Sequence, residues 1–309
     1  MPFRDLERIS GIEVRRQVPM ASLTSFRIGG PARCLVIPRT LQALEKTLGT
    51  LKALDVPYKV LGKGTNLLVD DRGTGVVLCL SGLSQIDMRP AHGNQVRIKA
   101  EAGVGLGRLL SFCARYGLEG LEALCGIPGS VGGAVRMNAG TRDLSIKDLI
   151  ERVRLTSPDG STWVGADALS FGYRKARLPE GTLVSGVVLR LRRGPAKLLF
   201  ARIKGIMRTR RVTQPIGLPS AGCIFKNPPG EFAGRLIESC GLKGKILGRA
   251  QVSRIHANFI VNLGGARASE VTALMSHMSD EVEKKTGIRL VPEIEIWKEN
   301  NDKETHRFH

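Results

Sequence analysis

A chain of 309 residues, 42% apolar and 24% charged, is long and apolar enough to bury the cores of two or three domains, which excludes a disordered protein. Lysine and arginine number 47 against 28 aspartates and glutamates, a formal charge of +19, so the expected partners are anionic: nucleic acid, a membrane surface or phosphorylated small molecules. Aromatic residues are only 5% and the basic ones are spread along the chain, which argues against the aromatic-interleaved patches of nucleic-acid binders. The densest basic stretch, 202–211, has helical spacing and reads as a solvated face.

The six cysteines are widely separated and form no C-x-x-C pair, which reads as reduced thiols in a cytoplasmic protein. MPFRDLERIS lacks the apolar core of a secretory signal, and no segment reaches the ~20 apolar residues of a membrane span. No metal-ligand spacing links His92, His256, His277, His306 and His309, so no catalytic metal is expected.

In chain order, about 25 polar residues precede a strand at 34–37, a boundary at Pro38 and Thr40, and a 3.6-period helix at 41–54. Short strands at 58–61 and 76–80 flank the loop GKGTN. An alternating strand at 96–100 leads to a helix at 106–116 and then a long glycine-rich run. SPDGS joins strands at 153–156 and 162–164, and another strand covers 183–191. Pro195 opens a helix to about 211, ended by TQPIGLPSAG. A third unit follows, with helices at 233–240 and 269–286 and strands at 259–262 and 294–297. The tail from Lys298 is polar and expected to fray. The expected fold class is α+β, divided at 1–90, 91–194 and 195–298, with a disordered tail at 299–309.

Within GIPGSVGGAVRMNAG (126–140) the small residues Gly129, Ser130, Gly132, Gly133 and Ala134 let backbone N–H groups approach an anion without Cβ obstruction. The earlier loop LGKGTNLLV (61–69) offers Gly62, Gly64, Thr65 and Asn66 in the same way. Two such loops suggest one long ligand, with a diphosphate well suited to the run. Neither G-x-G-x-x-G nor a G-K-[ST] phosphate loop is present, so the anion site is of another kind.

Eight motifs in order resemble the UDP-N-acetylenolpyruvoylglucosamine reductase family: SFRIGGPA (25–32), LGKGTNLLV, GIPGSVGGAVRMNAG, FGYR (171–174), PSAGCIFKNP (219–228), AGRLIESCGLKG (233–244), HANFIVN (256–262) and VPEIEI (291–296). The resemblance implies a two-part FAD-binding domain of the vanillyl-alcohol-oxidase (PCMH) type followed by an α+β substrate-binding domain. It also implies a UDP-N-acetylmuramate dehydrogenase activity: NADPH-derived hydride passes through bound FAD to the enolpyruvyl group of UDP-N-acetylglucosamine enolpyruvate, in peptidoglycan precursor synthesis. No insertion accompanies FGYR, which suggests the shorter branch, without an added loop over the substrate.

Carried over by motif, the resemblance assigns FAD binding to Arg27, Gly62, Gly64, Thr65, Asn66, Gly129, Ser130, Gly132, Gly133 and Asn138. Catalysis falls to Arg174, Cys223 and Glu293, and substrate binding to Lys226, Asn227, Gln251 and His256. The chemistry needs a cation or hydrogen-bond donors where charge develops and a proton donor for the product. Arg174 can bind carboxylate oxygens in a forked geometry. Glu293 beside an anion requires a proton or a compensating cation. Cys223 stands where the family usually has serine; an ordinary thiol, of pKa ~8.5, gives up a proton more readily than an alcohol and invites alkylation.

The sequence departs from the family pattern at Arg136, frequently tyrosine, and at TRDLS (141–145), both bordering the flavin loop. Two other readings are another flavoenzyme on the same FAD domain and a basic nucleic-acid binder retaining the fold. SAGCIFKNP and VPEIEI speak against the first, and a yellow protein carrying FAD would speak against the second.

Overall fold

The computed structural model describes residues 3–141 and 144–298; the expected loose tail at 299–309, and Arg142 and Asp143 in the departing stretch, lie outside the described residues. The polar N-terminal lead holds a helix, α1 (Phe3–Glu7), and a strand, β1 (Ile12–Pro19). β1 is an edge strand whose Ile12 and Val14 pack only part-buried against the core, so its apolar face is short.

β2 (Pro31–Pro38), α2 (Leu41–Ala53), β3 (Tyr58–Leu61), β4 (Leu67–Val69) and β5 (Thr74–Cys79) follow. A sheet of order β1-β2-β5-β3 results, antiparallel between β1 and β2 and parallel elsewhere. α2 begins at Thr40, whose hydroxyl accepts the Ala43 N–H at 3.1 Å, and its buried Leu44, Leu48 and Leu51 form the stripe that meets the sheet.

The second unit contains β6 (Ile86–Pro90), β7 (Gln95–Glu101), α3 (Leu106–Arg115), β8 (Leu118–Glu119), α4 (Val131–Arg136), β9 (Ile150–Ser157), β10 (Gly160–Gly165), β11 (Ser170–Gly172), β12 (Lys175–Arg177) and β13 (Leu183–Arg193). Its antiparallel sheet runs β10-β9-β13-β7-β6, with β8 also on β13 and β11–β12 a separate hairpin. In β7, Val96, Ile98 and Ala100 are buried while Arg97 and Lys99 face out, so period-2 patterning made this strand legible. β13 lies in the middle of the sheet, and apolar residues on both faces give it a nearly continuous apolar run instead.

α5 (Ala196–Thr213) comes next and packs back on the second unit, against α3 and β8. The last unit contains β14 (Ser220–Cys223), α6 (Ala233–Ser239), β15 (Ile246–Leu247), β16 (Ala250–Val252), β17 (Phe259–Asn262), α7 (Ala268–Thr286) and β18 (Glu295–Trp297). Its sheet order is β14-β17-β16-β15, but β18 leaves it and pairs in parallel with β4. The core of this unit, around Ile237, Val252, Ile260, Leu274 and Met278, also takes in Phe26, Ile28 and Leu68 from the first ninety residues. Burying Phe26 alone contributes about 1.5–3 kcal/mol. α7 starts on Asp71, whose carboxylate accepts the N–H groups of Ala268 at 2.7 Å and Ser269 at 3.1 Å, and it ends at Gly287 in left-handed conformation, φ 72°. First and last units are thereby stapled together, and the space left among the three units is the site.

Candidate active site

A cleft of about 1620 Å³ lies where the units meet, lined by the glycine loops, the β11–β12 hairpin, the end of α5, β14 and the segment before β18. Pockets for one small ligand usually measure about 300–1000 Å³, so this cleft has room for two. Lys63, Arg174, Lys175, Arg210 and Lys226 line it against Glu293 and Glu295, which places part of the chain's positive charge around its anion-binding space.

One wall is backbone and small side chains. A Cβ at Gly62 would come 2.5 Å from Ser130 Oγ, and Thr65 Oγ1 donates to Pro128 O at 3.2 Å, so the two glycine loops face each other directly. Gly64 holds φ +58°, and a side chain there would also run into Leu23 O. The run at 126–140 is partly helical: Ser130 caps the short α4 by accepting the Gly133 N–H at 3.3 Å. Gly132 has a packing task, since its N–H donates to Ala102 O at 2.8 Å and a Cβ would sit 2.8 Å from Ala102 Cβ. Gly62, Gly64, Thr65, Asn66, Gly129, Ser130, Gly132 and Gly133 all line the cleft. A cradle that side chains would fill, paired loops and a cationic lining fit the diphosphate and ring system of FAD.

The end of the run anchors the opposite wall. Arg136 Nη1 donates to Ala176 O at 2.5 Å, and buried Asn138, itself at φ 41°, donates from Nδ2 to Gly172 O at 3.0 Å. Both bonds hold the β11–β12 hairpin, whose two-residue turn is Tyr173–Arg174. Thus the departure at Arg136 has a structural use. Arg174 sits at φ 56°, a left-handed conformation costing a non-glycine residue about 1–2 kcal/mol. Its Nη1 donates to Gly140 O at 2.8 Å, and its Nε lies 3.0 Å from Glu293 Oε1. That Nε–H does not point at the oxygen and, buried from solvent, has no acceptor among the described residues, so the two groups pair by charge alone.

Glu293 is clamped by its backbone: its N–H donates to Ile224 O at 2.8 Å and its carbonyl accepts from Asn66 Nδ2 at 3.1 Å. One residue thus ties the flavin-loop side to the neighbour of Cys223. Burial pushes the Glu293 carboxyl above the usual carboxylate range, against the pull of Arg174 and Lys226. Burial, reinforced by Glu293, pushes the Cys223 thiol up to about 12, while Arg174 and Arg210 act in the opposite sense. Cys223 therefore keeps its proton through the neutral range. The expectation of a readily ionised, alkylation-sensitive thiol changes accordingly: desolvation outweighs the neighbouring cations.

Of the four substrate candidates, Lys226 lines the cleft. Asn227 is exposed and accepts the Ala233 N–H at 3.1 Å; Gln251 is buried and donates to Gly244 O at 3.2 Å. His256 Nδ1 accepts the Asn258 N–H at 3.2 Å, its ring lies 5.0 Å from Phe259, and burial lowers its pKa. Arg27 is exposed, and its carbonyl accepts from Asn262 Nδ2 at 3.3 Å. Arg27, Asn138, Asn227, Gln251 and His256 stand outside the cleft lining. Ser25, Lys63, Arg210 and Trp297 line it without having been singled out. For Arg210 a signal existed: Met207, Arg210 and Gln214 share one helical face leading to the Gln-Pro break. Among the described residues no group of three or more His, Cys, Asp or Glu could hold a metal ion, and no helix is long and apolar enough to cross a membrane.

The profile of an FAD binding domain matches residues 32–165, and that of the UDP-N-acetylenolpyruvoylglucosamine reductase C-terminal domain matches residues 214–297. The UDP-N-acetylenolpyruvoylglucosamine reductase of Anaeromyxobacter dehalogenans is 43% identical over 302 residues, covering 97% of this chain and 90% of that protein. That of Syntrophotalea carbinolica is 41% identical over 279 residues, covering 90% and 92%. The crystal structure of the Thermus caldophilus enzyme superposes with a TM-score of 0.80 at 40% identity, covering 93% of this chain and 99% of that one. With its two-part PCMH-type FAD-binding domain and its C-terminal substrate domain, the chain belongs to the UDP-N-acetylenolpyruvoylglucosamine reductase family.

Proposed function

We propose that Arg174, Cys223 and Glu293 are the catalytic group with which this chain reduces the enolpyruvyl ether of UDP-N-acetylglucosamine to the lactyl ether of UDP-N-acetylmuramate, in peptidoglycan precursor synthesis. The observation that carries these roles is their convergence: three segments far apart in sequence bring an arginine, a protonated thiol and a buried carboxyl to one wall, facing two glycine loops. Bound FAD supplies the redox chemistry, taking two electrons from NADPH and passing them to the enolpyruvyl double bond. Gly62, Gly64, Thr65, Asn66, Gly129, Ser130 and Gly133 would hold it.

When the double bond accepts hydride at its methylene carbon, negative charge builds on the carbon bearing the carboxylate and on the carboxylate itself. Arg174, fixed by Gly140 and Glu293, would hold that charge through the guanidinium it presents to the cleft. Cys223 Sγ–H gives the carbon its proton, and solvent then restores the thiol. Glu293 fixes the Arg174 guanidinium as its counter-ion. Lys226, which lines the cleft, would meet the phosphates or the sugar. A cytoplasmic setting fits two nucleotide substrates and six free thiols.

Anaerobic titration tests this reading. NADPH should bleach the yellow protein, and enolpyruvyl UDP-N-acetylglucosamine should restore its colour. A protein that purifies without FAD, or stays oxidised under NADPH, contradicts it.

A further inference from the structure

The basic helix α5 is largely a solvated face: only Leu199 is buried, and Arg202 forms ion pairs with Glu119 at 3.2 Å and Glu122 at 3.3 Å. Arg210 breaks that pattern. Its side chain turns inward, is partly buried and lines the cleft beside Cys223. Among the described residues no carboxylate pairs with it, and its one side-chain bond runs from Nη1 to Gln214 Oε1 at 3.4 Å. A partly buried cation without a counter-charge is costly unless a ligand supplies the charge.

A second feature shows that the inward position is built in. Gly126, φ 76°, opens the glycine run beneath this side chain, where a Cβ would lie 2.5 Å from Arg210 Cδ and 3.1 Å from Met207 Sδ. Any side chain at position 126 would press on the Arg210 and Met207 side chains along the path into the cleft. The other arginine of this wall, Arg174, already has Glu293 as counter-ion at 3.0 Å, so that pair adds little net charge. The substrate brings a carboxylate to the same wall, and a cation free of any carboxylate is what its charge requires.

We propose that Arg210 is a second carboxylate-binding residue of the substrate site, holding the enolpyruvyl carboxylate on the Cys223 side while Arg174 holds it from the Glu293 side. This rests on the reading that the enolpyruvyl group lies at Cys223. Two cations of different kinds then share one anion: Arg174 orients it, and Arg210 neutralises it. Burial lowers the pKa of Arg210, the behaviour of a partly desolvated cation.

The test is equilibrium binding to oxidised holoenzyme, followed by the flavin absorbance change and by calorimetry, with two probes that differ only in the carboxylate-bearing group. Enolpyruvyl UDP-N-acetylglucosamine should bind Arg210→Gln about 10- to 100-fold more weakly than the native protein, the range for losing a charged hydrogen bond. UDP-N-acetylglucosamine, which lacks the enolpyruvyl group, should lose less than about twofold. Arg210→Lys should recover most of the difference, with the FAD content of both variants unchanged. Equal weakening of both probes would assign Arg210 to the nucleotide and overturn the proposal. Unchanged binding of both, or a loss confined to NADPH, would overturn it as well. Binding is read without turnover, so failure of the proton-donor role of Cys223 leaves this result interpretable.

Discussion

The two walls of the cleft are built by opposite means. On the flavin side the shape comes from missing side chains: Gly62 against Ser130, Gly64 against Leu23 and Gly132 against Ala102 leave no space for a Cβ. On the catalytic side the shape comes from side chains present and under electrostatic stress: a left-handed arginine, a carboxyl lifted by burial and a thiol held protonated. The first wall has its short-range contacts within one packed backbone. The second depends on residues 174, 223 and 293, which meet only when the chain end returns to pair β18 with β4. Damage to the first wall should therefore be read as loss of cofactor, and damage to the second as loss of rate with the cofactor in place.

The largest separation is expected at Arg174. Arg174→Ala should lower kcat/KM for the enolpyruvyl substrate about 100- to 1000-fold, the range for losing one preorganised donor, while the FAD content stays native. A colourless Arg174→Ala protein would erase the distinction between the walls. Gly62→Val is the converse experiment: filling the space at Ser130 should weaken FAD at least about tenfold by the overpacking of a close-packed site, measured by flavin released on dilution. Reconstitution with excess FAD should return near-native turnover, whereas a rate defect that persists at saturation would show that the walls are not separable.

A pH profile gives a smaller but sharper contrast. With the Cys223 thiol pushed up to about 12, kcat/KM for the enolpyruvyl substrate should not fall between about pH 7 and 9.5, where a thiol of ordinary pKa ~8.5 would lose its proton. Iodoacetamide should modify Cys223 more slowly than a free thiol at pH 8, judged by mass spectrometry. The smallest effect belongs to the staple behind both walls. Asp71→Ala removes the carboxylate that caps α7 and should cost about 1 kcal/mol, or about 2–4 °C in Tm, with little change in FAD content.

The walls were also unequally legible in the sequence. Most helices and inner strands followed from periodicity: 58–61 and 259–262 coincide with β3 and β17, and the expected helix at 41–54 differs from α2 by one residue. The short edge strands β1, β6 and β15 were not legible: Ile86 and Met88 of β6 and Ile12 and Val14 of β1 alternate over only four residues, and β15 is a two-residue strand with both residues exposed. The glycine loops could be read directly, since a glycine that must be glycine is visible in the sequence itself. What could not be read was its reason, cradle at Gly62 but packing at Gly132. Arg174, Cys223 and Glu293 were reached only through motif resemblance, because no local pattern announces that 174 and 293 will lie 3.0 Å apart. Arg210 was hidden by its setting, one arginine among several on a basic helix, and only the phase of that helix turns it inward.

The half-reactions of Cys223→Ala test the assignment of the catalytic wall most directly. In anaerobic stopped flow, flavin reduction by NADPH should stay within about twofold of native while reoxidation by the enolpyruvyl substrate slows at least about 100-fold, the scale of a lost general acid, and Cys223→Ser should restore most of it. Equal loss in both halves, or reoxidation at the native rate, would contradict the assignment of Cys223 as proton donor.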